Sequence, residues 1–308
     1  MKQQILIHEA ETPDEISRFW RELHEYHRRD ILPEEKDCES LEYFLSAEYQ
    51  SAIEALRTRA NDRAQFLFFC RDGAEVGFAL TAHYPSEDGK CFILEFGVYP
   101  AFRGGGTGSA CAQELLHWMR SRGAAYFELN CGGDERRPRF WSRLGFRENG
   151  ADEWGEPLML LPPEENIPVT VVRAQEAGWQ FFKLQNGYLR EIGEAPQDEA
   201  AQQRLTDAVH AGRITFFLAM RGTRAVGMCS VTAQFSTFAC ADVGTFEDFY
   251  VEPVFRRQKI ARKLVQAAQA YARDRGLSSL SVCCADCDVP MYRALGFTER
   301  LGTTMTAL

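Results

Sequence analysis

The apolar positions of this chain follow two periods in turn, and the whole pattern is played twice. ILIHEA (5–10) reads as a strand, and DEISRFWRELHEYHRR (14–29) and SLEYFLSAEYQSAIEALRTRA (40–60) carry helical spacing. AQFLFFCRDG and AEVGFALTAHY predict a hairpin about Asp72 and Gly73. CFILEFGVYP follows as a strand, GTGSACAQELLHWMRSRG as a helix closed by Gly123, and AYFELN as a further strand. The second half repeats the order with VTVVRA, two helical stretches to Ala211, ITFFLAM, AVGMCSVTAQF, FEDFYVEP, a helix to Arg275, and LSSLSVCC. The proline-bearing LLPPEENIPVT (160–170) separates the halves. The expected organisation is a domain over 1–161, a linker over 162–168 and a domain over 169–308, in a chain of 308 residues.

Two short motifs recur at matching places. VYPAFRGGGTG (98–108) answers VEPVFRRQKIA (251–261), and FWSRLGF (140–146) answers MYRALGF (291–297). Pro100 marks the point where the strand stops pairing. Gly104, Gly105, Gly106 and Gly108 can then turn bare amides inward at the start of a helix near Thr107, a nest suited to phosphate, with Arg103 beside it. A Walker loop needs Lys and then Ser or Thr after its last glycine, whereas Gly108 is followed by Ser109 and Ala110. A dinucleotide fingerprint fails on spacing too, because it would set Cys111 at its third small position.

Arg103-x-x-Gly106-x-Gly108 after a V-x-P strand end, with the later F-aromatic-x-x-LGF, resembles the GNAT acetyltransferase superfamily, once in each half. The resemblance implies an α/β chain (α+β in some schemes) of two tandem GNAT folds. Each would be a mixed, mostly antiparallel twisted sheet with helices on both faces. It implies acetyl-CoA in a gap beside a splayed strand. The residues implied to hold it are Val98, Arg103, Gly104, Gly105, Gly106, Thr107, Gly108, Ser109 and Asn130 in the first half. In the second they are Val251, Arg256, Arg257, Lys259, Ile260 and Ala261. The Val98 and Val251 regions would supply an oxyanion amide. Glu95 and Asp248, each three residues before the valine, are the candidate bases, with solvent-facing strand carboxylates as the alternative. Tyr292 stands where the family often has a general acid, whereas Trp141 stands there in the first half and cannot protonate a thiolate. Lys259 replaces the first motif glycine, and its amide stays useful if its φ stays negative.

The implied activity is transfer of an acetyl group to a primary amine of a small molecule or peptide. A non-catalytic acyl-CoA sensor and an enzyme for longer acyl-CoA are the alternatives. The net charge of −9 argues against nucleic acid. ITFFLAM is far shorter than the roughly 18 apolar residues of a membrane helix. An acidic start and ten cysteines suggest reduced thiols and a cytoplasmic chain. A monomer or homodimer is expected. CCADC (283–287) lacks the second cysteine pair of a zinc site, so no metal is expected. His24 and His27 share a helix face expected to be solvated.

Overall fold

The structure is a computed structural model that describes residues 4–31, 42–131, 136–152, 155–175 and 178–300. Its contacts divide the chain into two compact units, Met1–Pro163 and Glu164–Leu308.

In the first unit β1 (Leu6–Glu9) leads into helix α1 (Pro13–Tyr26). Thr12 and Glu15 form a reciprocal capping box there, so two of the amides left orphaned at the helix start find acceptors. The helix does not end at Tyr26 but widens into a π-turn, His27–Ile31. Helix α2 (Ala47–Arg57) is shorter than the expected helix over 40–60, because Ser46 caps a fresh start by accepting from the Tyr49 amide at 3.1 Å. Then come β2 (Arg63–Arg71), β3 (Ala74–Tyr84) and β4 (Lys90–Val98), a 3-10 turn at Pro100–Phe102, and α3 (Thr107–Arg120). The unit closes with β5 (Tyr126–Asn130), α4 (Arg136–Arg143), β6 (Arg147–Ala151) and β7 (Pro157–Leu161). Asp72 and Gly73 both have positive φ, the conformation a two-residue hairpin turn asks for, and they join β2 to β3 as expected.

The seven strands lie in the order β1-β2-β3-β4-β5-β7-β6. Among the described residues of this sheet, only β4 and β5 run parallel. Alternation along β2 and β3 sends Phe66, Phe68 and Phe78 to one face, under Phe19, Trp20 and Leu23 of α1. It sends Leu67, Phe69 and Ala79 to the other, under Leu115, Leu116 and Met119 of α3. Each face is therefore covered by helix.

The second unit repeats this with β8 (Val169–Arg173), α5 (Trp179–Glu191), α6 (Glu199–His210), β9 (Ile214–Arg221), β10 (Arg224–Ser236) and β11 (Ala241–Val251). A 3-10 turn at Pro253–Phe255, α7 (Ile260–Asp274), β12 (Leu280–Val282) and the short α8 (Val289–Leu295) follow. The sheet order is β12-β11-β10-β9-β8, with β11 and β12 parallel. The two units are not equal copies. Among the described residues, β6 and β7 have no counterparts beyond β12, whose three residues are only half-buried. Among those residues no helix is long and apolar enough to cross a membrane.

Candidate active site

β4 parts from β5 early. The two pair only from Lys90 to Phe92, while β7 pairs along the other edge of β5, and among the described residues the rest of β4 has no strand on that side. An extra residue, Leu94, sits in β4 between the registers Leu80–Glu95 and Thr81–Ile93, a bulge at the point of departure. The second unit does the same: β11 and β12 pair only from Gly244 to Phe246.

The end of each splayed strand has one orientation. The Tyr99 amide donates to Val76 O on the β3 side at 2.9 Å, so strand alternation turns the Val98 amide and carbonyl toward the gap. The Val98 carbonyl is occupied, because Arg103 Nε donates to it at 2.8 Å. Val251 is arranged alike: Glu252 N donates to Val226 O at 3.0 Å, and Arg256 Nε to Val251 O at 2.9 Å. An arginine in each unit thus covers the one carbonyl that would repel negative charge beside a free N–H.

The remaining donors of Arg103 face the π-turn. Nη1 and Nη2 grip Asp30 of the π-turn at 2.9 and 2.5 Å. Arg256 likewise reaches Glu191 at the end of α5. Burial works against the Asp30 carboxylate, but bonds from Arg103 and Arg29 outweigh it and hold the group below its ordinary range.

The loops keep one backbone with different residues. Gly104, Gly105 and Gly106 have φ of +87°, +55° and +84°, and Gly106 caps α3. A Cβ built at any of the three would meet nothing within 4 Å, so backbone conformation and not crowding calls for glycine. In the second unit Arg257 and Lys259 take these left-handed values, +62° and +65°. The condition on Lys259 therefore fails: its φ is positive, and the loop holds two strained side chains where its twin has hydrogen atoms. Thr107 is buried, Gly108 packs near Phe140 and Val98, and Ser109 is exposed. Ile260, the counterpart of Thr107, lies in the core, and Ala261 follows on the first turn of α7.

One pair of residues escaped the sequence reading. Arg71, ending β2, stacks over Phe102 and donates to Thr107 Oγ1 at 3.0 Å. Arg221, ending β9, stacks over Phe255 and donates to Gln258 at 2.7 Å. Both bring a cation beneath the loop. The signal was an arginine at the same place in both halves, just before the turn that follows the apolar strand.

Glu95 lies on the α1 face of β4 with 13% of its side chain exposed, and its Oε1 meets His27 Nε2 at 2.7 Å. The expected solvated histidine face is overturned here: His27 is 1% exposed, because it stands four residues after the buried Leu23 and seven after Trp20 on the inner face of α1, against Phe44 and Tyr26. The Tyr26 and Tyr49 hydroxyls are held protonated, by burial first and by the nearby Glu95 charge second. Asp248 differs from its twin. It is itself part of the bulge in β11, at φ +50°, and it accepts from Ser230 Oγ at 2.6 Å.

The remaining candidates lie apart in character. Trp141 is core, with edge contacts to Phe96, Phe140 and Phe146. Tyr292 sits on α8 against Phe246, Phe249 and Phe297, and its phenol is pushed up to about 12, by burial first and then by Cys284 and Asp288. Asn130 ends β5 and donates to Asp152 at 2.8 Å. Among the described residues no group of three or more His, Cys, Asp or Glu is placed to hold a metal ion.

The family model described as "Acetyltransferase (GNAT) family" matches residues 20–146 and 179–302. No curated protein matches the sequence. Solved structures similar to this chain include a probable acetyltransferase, 22% identical, covering 45% of this chain and 96% of its own at a TM-score of 0.40. An aminoglycoside acetyltransferase from an uncultured soil metagenomic sample is 16% identical and covers 47% and 97% at 0.41. Glucosamine-6-phosphate N-acetyltransferase from Arabidopsis thaliana is 13% identical and covers 46% and 98% at 0.38.

Proposed function

This chain belongs to the acetyltransferase (GNAT) family, and we propose that its first unit transfers an acetyl group from acetyl-CoA to a primary amine of a small molecule or peptide. One observation carries the reading. On either side of the splay in β4 stand a free strand-end amide, a partly exposed carboxylate and a nest of left-handed glycines at a helix start. Acetyl-CoA would supply the activated thioester, with Gly104–Gly108 and the start of α3 holding its phosphates.

The chain's own residues then have little left to do. Glu95 Oε2 takes the proton of the amine as its nitrogen forms the N–C bond and the C–S bond breaks. The Val98 amide steadies the developing negative charge, and Arg103 keeps the neighbouring carbonyl from opposing it. No acid is needed on the first-unit helix α4, where Trp141 serves the core, if the departing thiolate takes its proton from water.

The second unit is read as the non-transferring copy. Its loop carries Arg257 and Lys259 at the left-handed positions, and its carboxylate is committed to Ser230. Tyr292 argues for the opposite assignment, since its phenol stays protonated and able to donate.

Release of free CoA thiol from acetyl-CoA, with a panel of polyamines, amino sugars, aminoglycosides and lysine peptides, tests the activity. Glu95→Gln is expected to lose about 10²–10⁴ in rate, while Tyr292→Phe stays near wild type. The reverse result would move the reaction to the second unit. No turnover of any amine, with CoA still bound, would favour a sensor.

A further inference from the structure

We propose that the base of the first unit is a pair, with His27, on the inner face at the end of α1, as the positioning residue that aims Glu95. The inference rests on the reading that Glu95 accepts the amine proton.

Geometry comes first. His27 Nε2 and Glu95 Oε1 are 2.7 Å apart across 68 residues of sequence. Among the described residues Oε1 has this partner and Oε2 has none, so the contact leaves one oxygen open and fixes the direction in which it points. The residue is kept at a cost. His27 Nδ1 is buried with no hydrogen-bond partner. Orphaning a buried polar atom costs about 1–3 kcal/mol, and a leucine would fill the same space beside Phe44 without it.

The orphan also sets the tautomer. In the neutral ring, a proton on Nδ1 would bury an N–H with no acceptor and oblige Glu95 to be the donor at Nε2, which would leave it no capacity as a base. A bare Nδ1 leaves Nε2–H donating to the carboxylate. The pair then carries one negative charge before the proton arrives and none after, and the proton entering at Oε2 can be returned to water once the amide has left.

The π-turn begins on His27, and three residues on the same turn supplies Asp30 to Arg103, whose Nε holds the Val98 carbonyl. One five-residue element therefore touches both the carboxylate and the strand end that bears the oxyanion amide. The second unit lacks this arrangement among its described residues: Asp248 is held by Ser230 of β10, its own sheet neighbour. Facing the pair are Tyr26 of α1 and Tyr49 of α2, with Asp30, Arg103 and Arg137 of α4 near the Tyr26 hydroxyl.

Two measurements test the proposal. Long-range proton–nitrogen spectra of the full chain, with His27→Gln identifying the signal, should show His27 protonated at Nε2 and bare at Nδ1. The opposite tautomer would overturn the proposal whatever the acceptor is. With the amine that wild type turns over fastest, His27→Leu should lower kcat about 10–100-fold, within the worth of a positioned base, and leave the KM for acetyl-CoA unchanged. His27→Gln, which keeps a donor, should recover most of that loss. Unaltered kcat in His27→Leu would sink the pair while leaving Glu95 as the base. A wild-type chain that turns over no amine would remove the reading on which the pair depends.

Discussion

Gly106 and Lys259 occupy the same place in two loops and the same left-handed backbone, at φ +84° and +65°. Each is the cap residue of the helix that follows. A loop that keeps its path after losing its glycines is held by what surrounds it: the 3-10 turn before it, the arginine beneath it and the helix after it. Strain at Lys259 then becomes measurable. Lys259→Gly should stabilise the second unit by roughly 0.5–1 kcal/mol, the relieved strain less the extra entropy of an unfolded glycine. Gly106→Lys should destabilise the first by about 1 kcal/mol. Thermal melts of both variants check the signs.

Arg103 and Asp30 should behave as one unit. The pair is 44% and 19% exposed, so each of Arg103→Ala and Asp30→Ala should cost about 1 kcal/mol of stability, and the double variant no more than either. Calorimetry with CoA separates two roles for the arginine. If it braces the strand end, Asp30→Asn weakens binding as Arg103→Ala does. Tighter binding by Asp30→Asn would mean that Asp30 competes with phosphate for the guanidinium.

The cap of α1 should be acid-sensitive. Glu15 is pushed down to about 2, first by the Thr12 amide, then by His8 and the Thr12 hydroxyl. Because the folded value lies below the unfolded one, the stabilisation is full above the ordinary carboxylate range near 4.5 and fades as pH falls toward 2. Glu15→Gln should remove this part of the acid dependence. Amide exchange at Glu11 and Thr12, followed between pH 5 and about 2, is the direct readout.

We also propose that the segment over 162–168 is the linker. Glu164, Glu165 and Asn166 are exposed there. A glutamate-specific protease should cut at this point first and leave two pieces that each melt cooperatively. Cleavage that begins elsewhere and unfolds both would show that the units do not fold alone.

The strands β1 to β5 and β8 to β12, the hairpin at Asp72–Gly73, the glycine-rich turn and the duplication were legible in the sequence, since each is written in residues close together. By contrast, β6 and β7 were not read, and the end of β7 was taken into the linker. The splay could only be inherited from a resemblance, because it depends on where β5 leaves β4. His27 was misread for a related reason. It stands four residues after Leu23 and seven after Trp20, so it continues the buried stripe of α1, and the partner it meets there is a carboxylate 68 residues away. The acid that holds Arg103 is 73 residues distant, and nothing local marks it. Lys259 was judged by the energetic preference of a side chain for negative φ, and the surrounding fold overrode that preference. The break at Ser46 was visible as a serine ahead of a helix-forming run, but an unbroken apolar period hid it.

The half-buried β12 bears on how the two halves can be handled. Its outer edge has no strand beside it among the described residues, so it presents a row of unmatched backbone donors and acceptors. Such a row pairs with any extended chain that approaches, including another of its own kind. Prepared separately, the second half should self-associate through this edge at high concentration. Two charged residues placed on the outer side of Leu280–Val282 would then do more for its solubility than any change to its core.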